Sequence, residues 1–172
     1  MTAKWTDFVA GAVLTAAQLN DVLDNFQDIA IFNETQAAGT NGGSSVAATW
    51  TKRTLNTTAV NNLGATLSSS VITLPAGTYT IEASAPYFNV GSGKMRWRNT
   101  SDGTTAVVGN SNNFGGTTGT AGLLVGTFTI AASKNFELQY YVQAATATNG
   151  LGVAAGGAES EVYGIVKIVR IA

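Results

Sequence analysis

Apolar residues recur along this chain with two different periods, and the change of period divides it. Through residues 14–29, LTAAQLNDVLDNFQDI, Leu19, Val22, Phe26 and Ile29 follow one another at steps of three and four, with Leu23 and Ala30 widening the stripe. Asp21, Asp24 and Asp28 occupy the opposite side. Such spacing places the apolar residues on one face of an α-helix. Thr15 offers an N-cap, and Gln18 stands three residues on, at capping-box spacing. The pattern predicts a helix over about residues 15–33. A helix of about 18 residues is marginal alone and must bury its stripe. Two partners satisfy that need: the chain's own β-domain, or a short parallel bundle of identical chains. In a bundle, Leu19 and Phe26 at a with Val22 and Ile29 at d favour more than two strands. A second phasing puts Leu19 and Phe26 at d with Leu23 and Ala30 at a, and two heptads do not decide between them. Trp5 precedes the helix as a further apolar anchor.

Residues 37–45, AAGTNGGSS, read as a flexible linker, which places a domain boundary there. From Val46 onward the period is two. Over residues 78–87, Tyr79, Ile81, Ala83, Ala85 and Tyr87 share one face, with Thr80, Glu82 and Ser84 on the other. Over residues 135–143, Phe136, Leu138, Tyr140 and Val142 face in while Glu137, Gln139 and Gln143 face out. Over residues 94–98 the alternation sets Met95 and Trp97 against Lys94, Arg96 and Arg98. Shorter strands are predicted around residues 49–55, 70–74, 105–109 and 123–130. Turn residues stand at 75–77, 91–93, 102–103 and 133–135. Over residues 162–171 both faces are mostly apolar, as in a strand covered on two sides, whether in a sandwich core or beside a subunit interface. About eight to ten strands with turns at this spacing indicate a β-sandwich or jelly roll.

Composition narrows the chemistry. Only 11% of the 172 residues are charged, and the formal net charge is −1. Without a basic field, nucleic-acid binding by phosphate neutralisation is not expected, nor is steering to an anionic membrane. No apolar run approaches the length that spans a bilayer, so no membrane insertion is expected. The chain has no cysteine and no histidine, which excludes disulfides, thiolate nucleophiles, histidine bases and Cys or His metal sites. Glu159 and Glu161 are the one close acidic pair in the β-part, and read as a solvated edge. The Gly-rich stretches at 115–122 and 150–157 lack a phosphate-loop pattern. Loops on a rigid scaffold are where binding concentrates. Asn110, Asn112, Asn113 and Phe114 in one loop, and Asn149 with Leu151 in another, combine amide groups with an apolar contact, a mixture that suits carbohydrate as well as ordinary turns.

At these residues a resemblance enters. LPAGTYTIEASAP, KMRWRNTSDGTTAVVG, GTFTIAASKNFELQYYV, TNGLGVA and the closing EVYGIVKIVRI resemble the C1q/TNF-like jelly-roll modules of bacteriophage virion proteins. The opening, Trp5 followed by LTAAQLNDVLDNF, is similar to the short segment that starts phage tail-fibre and related structural proteins. The likeness runs over residues 46–172, and more loosely over 4–27. It implies a mainly β fold, a two-sheet jelly roll of about ten strands behind a short N-terminal helix. It also implies a tight homotrimer burying strand faces along a three-fold axis, with Tyr163, Ile165, Val166, Ile168 and Val169 of the last strand as interface residues. Nothing here matches the calcium site of eukaryotic C1q modules, so no metal or other cofactor is expected.

The organisation expected from all this is a virion-attachment segment over residues 1–36, the linker at 37–45 and the jelly roll at 46–172. The expected protein is a non-enzymatic phage fibre, made in the host cytoplasm and carried on the particle surface. Trp5, Leu19, Val22, Phe26 and Ile29 would hold the helices together or against another virion protein. The jelly roll would trimerise and face a host-surface glycan or protein. Without a signal-peptide pattern, release by cell lysis inside a particle is the expected exit. The rivals are a capsid-decoration or head-fibre protein and, in another class, a free carbohydrate-binding module. Removal of residues 1–40 is expected to leave the β-domain folded.

Overall fold

The structure, a computed structural model, describes residues 28–113 and 119–172, together with positions 11, 13, 15–17 and 19. Along them run β1 (Ile29–Gln36), β2 (Thr51–Lys52), β3 (Thr57–Asn61), β4 (Thr66–Ser68), β5 (Val71–Leu74), β6 (Gly77–Tyr87), β7 (Ser92–Asn99), β8 (Thr104–Val108), β9 (Asn112–Asn113), β10 (Thr120–Ile130), β11 (Lys134–Val142) and β12 (Glu161–Arg170). Two antiparallel sheets result: a five-stranded one in the order β10-β6-β12-β1-β3, and a seven-stranded one in the order β4-β5-β11-β7-β8, with β2 added to β11 and β9 to β7.

The period-two segments supply the core between the sheets. Tyr79, Ile81, Ala83, Ala85 and Tyr87 of β6 meet Phe136, Leu138, Tyr140 and Val142 of β11 and Met95 and Trp97 of β7, and all are buried. Trp97 stacks flat on Phe136 with centroids 5.2 Å apart, and Phe128 of β10 tilts against both. Each such side chain contributes about 1.5–3 kcal/mol by leaving water.

One expectation fails at the start of the domain. Residues 29–33, predicted as the end of the helix, are strand. β1 lies between β12 and β3, with Ile29 opposite Val169 and Ile31 opposite both Lys167 and Val60. The segment IAIFNETQ alternates as well as any strand here, with Ala30 and Phe32 fully buried. Ile29 and Ala30 fit both periods, and the neighbouring strands decide in favour of two. Ile29 is therefore a sheet residue and not part of a helical stripe. Of the predicted helix, Ala16, Ala17 and Leu19 are helical, and the Leu19 N–H donates to the Thr15 carbonyl. Trp5, Val22 and Phe26 lie outside the described residues.

The expected linker also differs. Residues 37–45 are knitted to the long connection at 143–160: Gly42 N–H donates to the Gly152 carbonyl, Gly43 to Thr148 and Ser45 to Thr146. Ser45 Oγ and Ser44 Oγ accept the Thr146 and Thr148 N–H groups in return. A Cβ on Gly42 would stand 2.5 Å from the Leu151 carbonyl oxygen. Small residues here permit close backbone approach, so this stretch is part of the domain, which begins with β1.

The two ends of the sandwich are unlike. Arg170 N–H donates to the Asp28 carbonyl, and Thr78 N–H to that of Ala172, so chain entry and exit share the end holding the 75–77 turn. The connections at 88–91 and 143–160, and residues 109–111, gather at the opposite end. There Phe88 N–H donates to the Gly150 carbonyl, Ala144 to Val90 and Asn110 to Leu123.

Candidate interaction surfaces

The residues expected at a subunit interface divide between the two faces of β12. Val166 and Ile168 are fully buried within the protomer, and Tyr163 is 4% exposed with its hydroxyl donating to the Thr40 carbonyl. These three belong to the interior, which corrects their assignment as interface residues. The pairing register of β12 with β1 shifts beside Glu34 and Thr35. A bulge of this kind interrupts the alternation, which is why neighbouring Tyr163 and Gly164 are both buried. Ile165 and Val169 point outward.

Outward positions of the five-stranded sheet line up in rows. Leu123, Ser84, Ile165 and Asn33 form one row, and Val125, Glu82, Lys167 and Ile31 the next. Val125 is 71% exposed, Leu123 49% and Ile165 42%. Between them lies a shallow depression of about 330 Å³ whose charged members, Glu82 and Lys167, pair at 3.2 Å. Thr80, Thr127, Thr78 and Thr129 continue the face toward the chain termini. It is an apolar and hydroxyl surface with little charge.

The loop residues are brought to one end of the sandwich, though not with equal access. Asn110 and Asn113 are exposed, and Asn112 is half-buried opposite Gly93 in β7. Asn149 is half-buried, with its N–H donating to the Ala147 carbonyl. Leu151 is 7% exposed and joins the core, so it is not a contact residue of the loop. Phe114 lies outside the described residues.

Two polar devices hold that end. Arg53 and Glu34 are both buried; Arg53 Nε donates to Glu34 Oε2 at 2.7 Å, and Nη2 to the Leu151 carbonyl at 3.1 Å. Burial pushes the Glu34 carboxyl up, against the pull of the guanidinium. The sequence hides this pair because residues 1–36 read as an attachment segment outside the β-domain, which leaves Glu34 apart from Arg53. As an inward position of β1, after Ala30 and Phe32, Glu34 stands out. Glu161, predicted on a solvated edge, is 9% exposed and accepts backbone N–H bonds from Gly156, Gly39 and Ala155. Those donors hold its carboxyl below the usual range and strap the 37–45 segment to the 143–160 connection. Glu159 is exposed outside the strand, so the two carboxylates do not form a pair.

The outer face of the seven-stranded sheet is charged. Lys94, Arg96 and Arg98 project along β7 beside Tyr141, Gln139 and Glu137 of β11. Arg96 lies over the Trp50 ring at 4.2 Å and donates from Nε to Gln139 Oε1 at 2.8 Å.

Solved structures share this arrangement of sheets. Murine APRIL aligns with a TM-score of 0.53 at 7% identity, over 83% of this chain and 98% of its own. The fold is a C1q/TNF-like jelly roll. The globular domain of zebrafish complement 1qA protein aligns at 0.51 with 11% identity, over 84% of this chain and 95% of its own. Eiger TNF from S. frugiperda aligns at 0.50 with 9% identity, over 84% and 92%. At such identities the jelly roll itself is what is shared. No family model matches the sequence, and no curated protein matches it.

Proposed function

We propose that this is a non-enzymatic structural protein of a bacteriophage particle, a homotrimeric fibre whose jelly roll faces the host surface. The observation that carries self-association is the outer face of the five-stranded sheet. There Leu123, Val125 and Ile165 stand exposed beside a single ion pair, and contiguous exposed apolar surface of this kind favours burial against another protein. A second copy of the chain is the proposed occupant, and a closed three-fold arrangement would cover the face on every copy. The polarity of the domain supports the fibre reading. Residue 28 enters at one end, and the long connections gather at the other, so a protein held by residues 1–27 would present those connections outward. The virion assignment rests on the resemblance of the strand-and-turn phrases and of the opening segment.

Light scattering of the purified chain tests the trimer, and a monomer at micromolar concentration overturns it. Deleting residues 1–27 is expected to leave a folded trimer that no longer enters particles; incorporation of the truncated chain removes the anchor reading. Immunogold labelling separates the rivals, since a tail-tip signal supports the fibre and a capsid-face signal supports decoration.

A further inference from the structure

We propose that the outer face of the seven-stranded sheet carries a binding site for one acidic sugar residue, built by Lys94, Tyr141, Ser92 and Ser111. These side chains and the backbone of Gly93 line a depression of about 200 Å³. Lys94 and Tyr141 are direct cross-strand neighbours, so an ammonium and an aromatic ring stand side by side over the same ladder position. Tyr141 also packs against Trp50, with ring centroids 5.6 Å apart and the rings tilted at 53°. Trp50 is itself pinned by Arg96, which Gln139 fixes in turn. The ring of Tyr141 is therefore set in place before any ligand arrives.

Charge and size select the ligand. Among the described residues, the ion pairs engage Lys52, Arg53, Lys134, Lys167 and Arg170, and no carboxylate pairs with Lys94. Around the depression, Lys94, Arg96 and Arg98 face outward with Glu137 as the nearby acid, so the local field favours an anion. The volume falls below the roughly 300–1,000 Å³ of pockets that take drug-sized molecules, and suits a single ring. A pyranose offers a flat C–H surface to the phenol ring and hydroxyls to Ser92, Ser111 and the Tyr141 hydroxyl. A carboxylate on that ring meets the Lys94 ammonium in a charge-assisted hydrogen bond. Inorganic phosphate would use the ammonium and leave the ring unused. The fold couples Lys94 to an aromatic residue forty-seven positions away, which the alternation of either strand alone does not reveal.

This inference deepens the host-attachment reading and rests on it for its biological meaning, but its test is independent of trimer or anchor. The full chain is titrated calorimetrically with N-acetylneuraminic acid, glucuronic acid, glucose, inorganic phosphate and a thymidine decanucleotide. At least one acidic sugar is expected to bind with a Kd of about a millimolar, with glucose and phosphate much weaker. Lys94→Met and Tyr141→Leu should each weaken that binding about tenfold, the size of one lost charge-assisted contact. Lys52→Met, which removes an equal charge from the same face outside the depression, should leave it unchanged. Neither acidic sugar binding at tens of millimolar overturns the site, and so does an unchanged Kd in Lys94→Met. An equal loss in Lys52→Met, or equal binding of phosphate or the oligonucleotide, reduces it to a general cationic surface and overturns it too. A trimeric, particle-bound protein that ignores acidic sugars loses this site alone. A monomer that binds them loses the trimer alone.

Discussion

On the outside of the five-stranded sheet, Leu123, Val125 and Ile165 stand in water around one Glu82–Lys167 pair. On the outside of the seven-stranded sheet, the equivalent pleat positions hold Lys94, Arg96 and Arg98 beside Gln139 and Glu137. The inward faces of both sheets are built alike, from aromatic and aliphatic residues at every second position. With only 11% of its residues charged, the chain has few charges to place, and the outer face of the seven-stranded sheet carries more of them than that of the five-stranded one. Charged side chains on an exposed sheet discourage unwanted pairing, whereas an apolar face left bare invites a partner. One face is thus suited to stay in solvent, the other to be covered.

The largest expected effect asks whether the apolar face is a property of the sandwich itself. Deleting residues 1–40 removes β1 from between β12 and β3, so that chain should lose its β-sheet circular dichroism and its solubility. A folded product would mean that β1 is dispensable and the face can be built without it. Next in size, Val125→Glu with Ile165→Glu should convert the proposed trimer to monomers in light scattering without unfolding the protein. Arg98→Glu on the opposite face should leave the oligomer intact, and reversal of that order would exchange the roles of the faces.

Arg53→Met separates stability from association. It leaves Glu34 buried without its cation and should cost about 3–5 kcal/mol in denaturant unfolding. A Glu34→Leu and Arg53→Met double variant should recover most of that loss. If association fails while folding stability is unchanged, the pair acts on the interface and not on the interior.

Glu161 supplies a pH test of the loop end. Its carboxyl is held low by the backbone N–H groups of Gly156, Gly39 and Ala155. A depressed folded value stabilises the protein above the unfolded value of about 4.3, and that contribution is lost as pH falls through the folded value. The thermal midpoint of Glu161→Gln should therefore lie below wild type near pH 7, with the gap closing below about pH 4. A gap independent of pH would assign the effect to packing. The smallest effect belongs to the charged face, where Arg96→Ala should cost about 0.5–1 kcal/mol through its contact with Trp50. That variant should keep the wild-type oligomeric state.

By itself, the pattern of residues determined the inward faces of β6, β7 and β11, because a strict alternation of large apolar and polar side chains has one way to face a core. The same alternation made the jelly roll legible, down to the cationic row on β7. At the candidate surfaces less was visible. Ile29 and Ala30 satisfied a helix and a strand equally, and only the edges of β12 and β3 on either side of β1 decided between them. The apolar residues of β12 could be recognised, but not divided. Which of them fill the protomer and which face outward depended on the register shift beside Glu34 and Thr35. Leu151 looked like a loop contact until packing drew it inward. Lys94 and Tyr141, Arg53 and Glu34, and Glu161 and Gly39 all meet across long stretches of chain. Local periodicity carries no record of such meetings, since strand pairing and loop closure are settled by the whole sandwich at once.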